Sequence, residues 1–347
     1  MNQRAFDLAE LAVPVIQAPM AGIATPRLAA EVSRAGGLGS LGLGASTAAQ
    51  AAQMMTETEA LLGSRRYGVN FFCHQPARRD AGVERGWIDY LASGFAAQGA
   101  AAPTGLTEIY QSFLTDDAML AAVLAARPAV ISFHFGLPDA TRIAALRETG
   151  ALLLASATSR AEAAAIARAG LDGIIAQGWQ AGGHRGLFDP EGADDRLTTA
   201  DLFAALLEQP LPVIPAGAIM DGAEAAVFLK AGAPAVQMGT AFLACPESQA
   251  STLHREGLSS RESVMTRAIS GRPARALRNH LSDLGQAAGA AQVPDYPLPY
   301  DLSKQLNALA GGTDYAAHWA GAGAARARAM PAAELVATLA QEIAAHR

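Results

Sequence analysis

Apolar positions along the chain fall into two alternating textures. Eight short runs have the length and apolar density of buried strands: Val13–Met20, Gly37–Gly42, Tyr67–Phe72, Ala129–Gly136, Ala151–Ala157, Gly173–Gly178, Leu211–Ala218 and Ala235–Phe242. Between them lie longer Ala-rich amphipathic stretches, among them Pro26–Ala35, Thr115–Ala126, Pro138–Thr149, Arg160–Ala169, Thr198–Glu208 and Asp221–Ala231. Several open on Thr, Ser, Asp or Pro and close on glycine, as in Arg34-Ala-Gly-Gly and Arg168-Ala-Gly, which is the chemistry of helix caps. This rhythm predicts an α/β fold, a (β/α)8 barrel. A doubly wound sheet competes, but its Gly-x-Gly-x-x-Gly is missing after the first strand, where the chain reads Ala18-Pro-Met-Ala-Gly22.

Two stretches break the rhythm. His74–Leu114 is too long for a simple crossover, and about a hundred residues without a strong strand pattern follow the eighth run. These include the turn Pro294-Asp-Tyr-Pro-Leu-Pro-Tyr300 and a predicted helix over Pro331–Ala345. The expected organisation is a barrel domain over 1–245, with an insertion at about 74–114. A smaller, mostly helical domain over 246–347 would then complete the pocket at the barrel mouth.

Composition narrows the function. Hydrophobic residues make up 51% and charged residues 17%, enough for a large core and too apolar for disorder. A net charge of -6 argues against nucleic acid as a partner. No run of 18 strongly apolar residues suggests a membrane span, and Asp7 and Glu10 interrupt any signal-peptide core. Two cysteines are too few for a disulfide framework or a Cys-based zinc site. The expectation is a soluble, cytoplasmic protein acting on small molecules as a monomer or homodimer. Of 26 basic residues only Lys230 and Lys304 are lysines, so a lysine in a suggestive place is less readily dismissed as surface filler.

Strand alternation then sorts the polar side chains. In Ile131-Ser-Phe-His-Phe-Gly136 it places Phe133 and Phe135 toward the helices, and Ser132, His134 and Gly136 inside the barrel. The same count puts Gly68, Asn70, Ile175 and Gln177 inward. Buried polar groups need partners, so Asn70, His134 and Gln177 at one end of the barrel point to a ligand, or pair with one another and water. Gln177-Gly-Trp-Gln-Ala-Gly-Gly-His184 would let backbone approach a flat molecule. Pro215-Ala-Gly-Ala218 and Gln237-Met-Gly-Thr240 follow the seventh and eighth strands, where such barrels bind phosphate. FMN is the commonest flat cofactor with one phosphate. His184, beside it, would titrate near the ordinary value of about 6.5 and could trade a proton. His74, His254, His280, His318 and His346 read as structural or exposed, and Cys73 as a small core residue. No histidine pair has metal-ligand spacing, and no Gly-x-Ser-x-Gly elbow is present.

Taken together, Gln17-Ala-Pro-Met20, Val69-Asn-Phe-Phe-Cys-His74, Ser132-Phe-His-Phe-Gly136, Ala181-Gly-Gly-His184, Ile219-Met-Asp-Gly222 and Val236-Gln-Met-Gly-Thr-Ala-Phe242 resemble the class I nitronate monooxygenases. The tail agrees through Ser270-Gly-Arg-Pro-Ala-Arg275, Tyr296-Pro-Leu-Pro-Tyr300, Lys304, Trp319-Ala-Gly and Met330-Pro-Ala-Ala-Glu-Leu335. The resemblance covers nearly the whole chain and implies an FMN-containing barrel. It would oxidise alkyl nitronates such as propionate 3-nitronate with O2, through a flavin semiquinone, to a carbonyl compound and nitrite or nitrate. It further implies flavin contacts from Met20, Asn70, Gln177, Gly182, Gly217, Gln237, Met238, Gly239 and Thr240. His134 and His184 would face the substrate as catalytic residues, with Tyr110, Tyr296, Tyr300 and Lys304 completing the pocket. Trp179, Gln180 and Ala218 depart from the family pattern, which commonly has an acid at 180 and glycine at 218. A reductase on the same FMN barrel, acting on quinones or enoyl-thioesters, and a non-catalytic flavin-binding protein are the rival readings.

Overall fold

The computed structural model describes residues 6–346; residues 1–5 and 347, the outer ends of the two expected domains, lie outside it. Among the described residues eleven strands run in chain order: β1 Val15–Gln17, β2 Ser40–Gly42, β3 Gly68–Phe72, β4 Val130–His134, β5 Leu152–Ala157, β6 Gly173–Gln177, β7 Gly183–His184, β8 Val213–Ala216, β9 Val236–Met238, β10 Ser263–Thr266 and β11 Ala274–Leu277. The helices are α1 Pro26–Arg34, α2 Ala48–Leu62, α3 Ala81–Ala97, α4 Asp117–Ala126, α5 Ala140–Arg147, α6 Arg160–Arg168, α7 Thr199–Leu206, α8 Gly222–Lys230, α9 Thr252–Ser260, α10 His280–Gln286, α11 Leu298–Ala310 and α12 Ala332–Ala345.

Eight of the strands form one parallel sheet in the order β1-β9-β8-β6-β5-β4-β3-β2. Its edges meet where Gln17 N–H donates to the Leu38 carbonyl and Leu38 N–H to the Val15 carbonyl, both at 2.9 Å. The result is a nearly closed TIM barrel. Side-chain oxygens of Thr25, Thr47, Asp116, Asp139, Ser159, Thr198 and Asp221 accept first-turn N–H groups of the ring helices, so the helix starts are encoded locally.

The inward positions are graded along each strand. At the bottom, Ile16, Leu38, Val130, Leu152, Leu154, Ile175 and Ile214 pack together, and Phe6 and Leu8 plug them from below. Two residues further up, the same inward rows become polar: Val130 gives way to Ser132 and His134, Leu154 to Ser156, and Ile175 to Gln177. Apolar burial therefore consolidates one end of the barrel, and polar groups collect at the C-terminal end of the strands. Outward residues such as Val69, Phe71, Ile131, Phe133 and Leu153 pack under the helices. Phe135 departs from the alternation, because the chain leaves β4 at His134 and takes φ 73° at Phe135. The Phe135 ring consequently lies over the barrel mouth, between His134 and Tyr296, rather than among the helices.

The packing does not follow the expected boundary at 245/246. Helix α12 lies against α1 and α8, with Leu335, Val336, Leu339 and Ile343 in the core formed with Val15, Leu28 and Val236. It is thus the helix that follows the eighth barrel strand. The insertion, in turn, belongs with the tail: Trp87, Ile88, Leu91 and Phe95 of α3 pack with Leu298, Leu302 and Leu306 of α11. Nor is this appendage simply helical. A three-stranded antiparallel sheet, β10-β11-β7, ties it to the turn after β6 through the pairs Ala274–His184 and Arg275–Gly183. These strands are too short for their alternation to register in the sequence. Among the described residues no helix is long and apolar enough to cross a membrane.

Leu339 is fully buried, so Leu339→Ala should cost about 2–5 kcal/mol in reversible denaturant unfolding. A loss below about 1 kcal/mol would mean that α12 is not part of the barrel core.

Candidate functional site

A cavity of about 720 Å³ opens at the C-terminal ends of the barrel strands. Met20, Asn70, His134, Gln177, Gly182, His184, Gly217, Gln237, Met238, Gly239 and Thr240 line it from the barrel, and Tyr110, Tyr300, Lys304 and Trp319 from the appendage. Of the residues expected to bind flavin or substrate or to act in catalysis, only Tyr296 is missing from the wall. It sits behind His184 with its rings 5.6 Å apart, 5% exposed, and its Oη is buried without a partner.

The polar strand ends largely pair with protein groups. Gln177 Nε2 donates to the His184 carbonyl at 2.8 Å, and Gln177 Oε1 accepts the Gly186 N–H at 2.7 Å. His134 Nε2 meets the same carbonyl at 3.1 Å, and its Nδ1 lies 2.9 Å from Ser156 Oγ. A carbonyl only accepts, so the proton of His134 is on Nε2 and Ser156 donates to Nδ1. Both nitrogens of His134 are therefore engaged in holding the turn, and it is not free to exchange a proton with a ligand. Asn70 donates to Ser132 Oγ at 2.9 Å.

The Gly182-Gly183-His184 turn is held on its other side by the appendage. A Cβ at Gly182 would come within 2.5 Å of Gly321 N, so only glycine lets the two backbones meet there. His184 Nε2 lies 2.9 Å from Ser270 Oγ, and Trp319 packs 4.8 Å from the imidazole. Nδ1 of His184 has no hydrogen-bond partner among the described residues and remains available to the cavity. Burial pushes the His184 pKa down to about 3 and that of His134 to about 4, with nearby Arg272 adding to both. Such values leave both imidazoles uncharged at neutral pH, and place His184 below the value near 6.5 expected from the sequence. Burial likewise raises Tyr110 and Tyr300 to about 12, leaving both phenols protonated.

Lys304 supplies the positive charge of the wall. Its ammonium lies 4.9 Å from the Tyr110 ring centroid and 5.3 Å from that of Tyr300, and no carboxylate among the described residues pairs with it. On the opposite side, turns after β8 and β9 bring Gly217–Ile219 and Gly239–Thr240 to the cavity, and the short helix starting at Thr240 has no side-chain cap. Backbone N–H groups there suit an anionic tail, and the cavity has room for a flat ring system.

The three departures find distinct roles. Gln180 Oε1 accepts the Thr199 N–H at 2.9 Å at the start of α7, a role that needs an acceptor but no charge. Trp179 lies outside the cavity wall, its ring flanked by the guanidinium groups of Arg185, Arg196 and Arg275. Ala218 adopts φ 55°, a conformation that favours glycine. Sequence reasoning gave no site role to Ser156, Ser270, Trp319 or Arg272, although the last three stand in motifs that carry the resemblance. Inward alternation through Leu152, Leu154 and Ser156 would have exposed the first; the others lie in segments without a usable period.

Known proteins agree with this arrangement. Residues 2–342 match the family model described as nitronate monooxygenase. A nitronate monooxygenase of Paraburkholderia phytofirmans is 51% identical over 95% of this chain and 92% of its own length. One from Pseudomonas aeruginosa is 45% identical over 99% of both chains. The solved nitroalkane oxidase of Streptomyces ansochromogenes superimposes with a TM-score of 0.87 at 38% identity, covering 97% of each chain.

Relieving the backbone at Ala218 with Ala218→Gly should stabilise the protein by up to about 1 kcal/mol, read as a raised Tm; a lowered Tm would show that the left-handed residue is not strained. His74, His134, His184 and His254 all have pKa values pushed below 6.5 by burial. As pH falls, the unfolded chain therefore takes up protons before the folded one. Stability should be full above about pH 6.5 and fall toward pH 4, by about 1.4 kcal/mol per pH unit for each such proton. Urea unfolding at pH 7.5, 6 and 5 checks this, and a flat profile would contradict it.

Proposed function

The chain belongs to the nitronate monooxygenase family, and from that premise we propose that it oxidises alkyl nitronates with O2 to a carbonyl compound and nitrite, using bound FMN. Propionate 3-nitronate, with its second anionic group, is the substrate we favour. The observation that carries this reading is the unpaired Lys304 ammonium between Tyr110 and Tyr300, in a cavity whose histidines are neutral.

A nitronate is already deprotonated, with its charge spread over carbon and two oxygens. It needs cationic and hydrogen-bonding partners rather than a base. Lys304 would meet one anionic group, and the Tyr110 and Tyr300 hydroxyls, held protonated by burial, would donate to the other. His184 is too weakly basic to remove the α-proton of a neutral nitroalkane efficiently, which favours the nitronate as the form consumed. In the tautomer protonated on Nδ1, in which Ser270 turns its one hydroxyl proton from the Arg272 carbonyl to Nε2, Nδ1–H would orient a nitronate oxygen. Phe72 and Trp319 add apolar surface to the cavity wall.

The residues present fit FMN. Gly217, Gly239 and Thr240 would hold the phosphate end, while Met20, Asn70, Gln177, Gly182, Gln237 and Met238 would border the ring and ribityl chain. When bound, FMN supplies the electron acceptor for the substrate carbanion and the site at which O2 is reduced.

Anaerobic mixing of the purified flavoprotein with propionate 3-nitronate should change the flavin absorbance, whereas NADH should not; bleaching by NADH alone would identify a reductase instead. Lys304→Met should raise the nitronate KM about 10-fold or more with a smaller effect on kcat. An unchanged KM would remove Lys304 from substrate binding.

A further inference from the structure

We propose that Arg272 is a positioning residue which, from behind His184, makes the cavity prefer the anionic form of its substrate to the neutral one. This rests on the nitronate reading above and extends it to a residue that does not touch the cavity.

Arg272 lies between β10 and β11 and is 4% exposed. Its Nη2 donates to the carbonyls of Leu187 at 3.1 Å and Phe188 at 3.4 Å, while Nη1 is buried with no partner. The guanidinium lies 4.2 Å from the centroid of Phe135, whose ring is 4.7 Å from that of His134 and 5.5 Å from that of His184. Among the described residues no carboxylate comes within ion-pair distance. Arg185, buried to a similar degree, is by contrast held by both oxygens of Asp194 at 2.9 Å.

The surroundings leave the charge of Arg272 only weakly offset. Glu162 and Asp189 attract it from beyond contact, and the Glu162 oxygens are committed to Thr158 and to Phe188 N–H. Arg267 repels it and is itself paired with Glu191. His74, His134, His184 and Tyr296, the titratable groups around it on the cavity side, are neutral at pH 7. A buried charge in such a setting is expensive and poorly screened, so its field reaches the cavity. An anion bound against His184 completes the missing compensation; a neutral ligand does not. Arg272 also reaches the site through its backbone: its carbonyl lies 3.4 Å from Ser270 Oγ, the hydroxyl that meets His184 Nε2.

The test compares Arg272→Gln, which keeps a donor and loses the charge, with Arg272→Lys, which keeps the charge. Arg272→Met serves as the neutral variant if the Gln protein does not fold. Nitrate, a planar anion that does not react, and neutral nitroethane are titrated calorimetrically into each flavin-loaded protein. The neutral variant should bind nitrate about 10-fold more weakly and nitroethane within about twofold of the parent, with Arg272→Lys recovering most of the nitrate affinity. Nitrate affinity unchanged in the neutral variant, or nitrate and nitroethane weakened alike, would overturn the proposal. Should the parent protein fail to oxidise any nitronate, the substrate reading falls, while the nitrate and nitroethane comparison still decides the role of Arg272.

Discussion

The carbonyl oxygen of His184 accepts from two barrel strands at once, Gln177 Nε2 on β6 and His134 Nε2 on β4. This shared acceptor ties the Gly182-Gly183-His184 turn to the barrel. Because the backbone of His184 is held from the barrel, its side chain can reach outward to Ser270 and Trp319 of the appendage. The same turn pairs with β11, so barrel and appendage are joined at His184.

That arrangement determines what the polar groups can do. Ser156, His134 and Gln177 look like a constellation of reactive side chains, yet their hydrogen-bonding capacity is spent on holding the turn. Buried hydrogen bonds of this kind rigidify a site and discourage proton traffic. Desolvation acts in the same direction by keeping the histidines and tyrosines uncharged. Two cations stand near these neutral groups, Lys304 on the wall and Arg272 behind it. These groups suit a ligand that already carries negative charge better than one that must first give up a proton.

Much of this was legible in the sequence, and unevenly so. The barrel followed from strand-length apolar runs alternating with capped helical segments, because each strand is buried on both faces and each helix on one. Inward placement of Asn70, His134 and Gln177 followed from period-two counting. The count failed at Phe135, where a left-handed residue ends the alternation, and such a backbone state carries no sequence mark when the residue is not glycine. The tail was harder. Helix α12 has a clear amphipathic pattern, but nothing in that pattern says whether its apolar face will meet the barrel or the appendage.

By itself, then, the sequence determined the periodic features: the strands, the ring helices, the glycine turns and the polar collar at one end of the barrel. These are set by interactions between residues close along the chain and by which face of each element is apolar. The tertiary structure alone decided which polar atoms are already satisfied, which histidines are too buried to charge, and which cations stand unpaired. Those properties depend on desolvation and on partners brought from distant segments, such as Ser270 beside His184 and Phe135 beneath Arg272. No local pattern records them, because they belong to the space between elements rather than to any one of them.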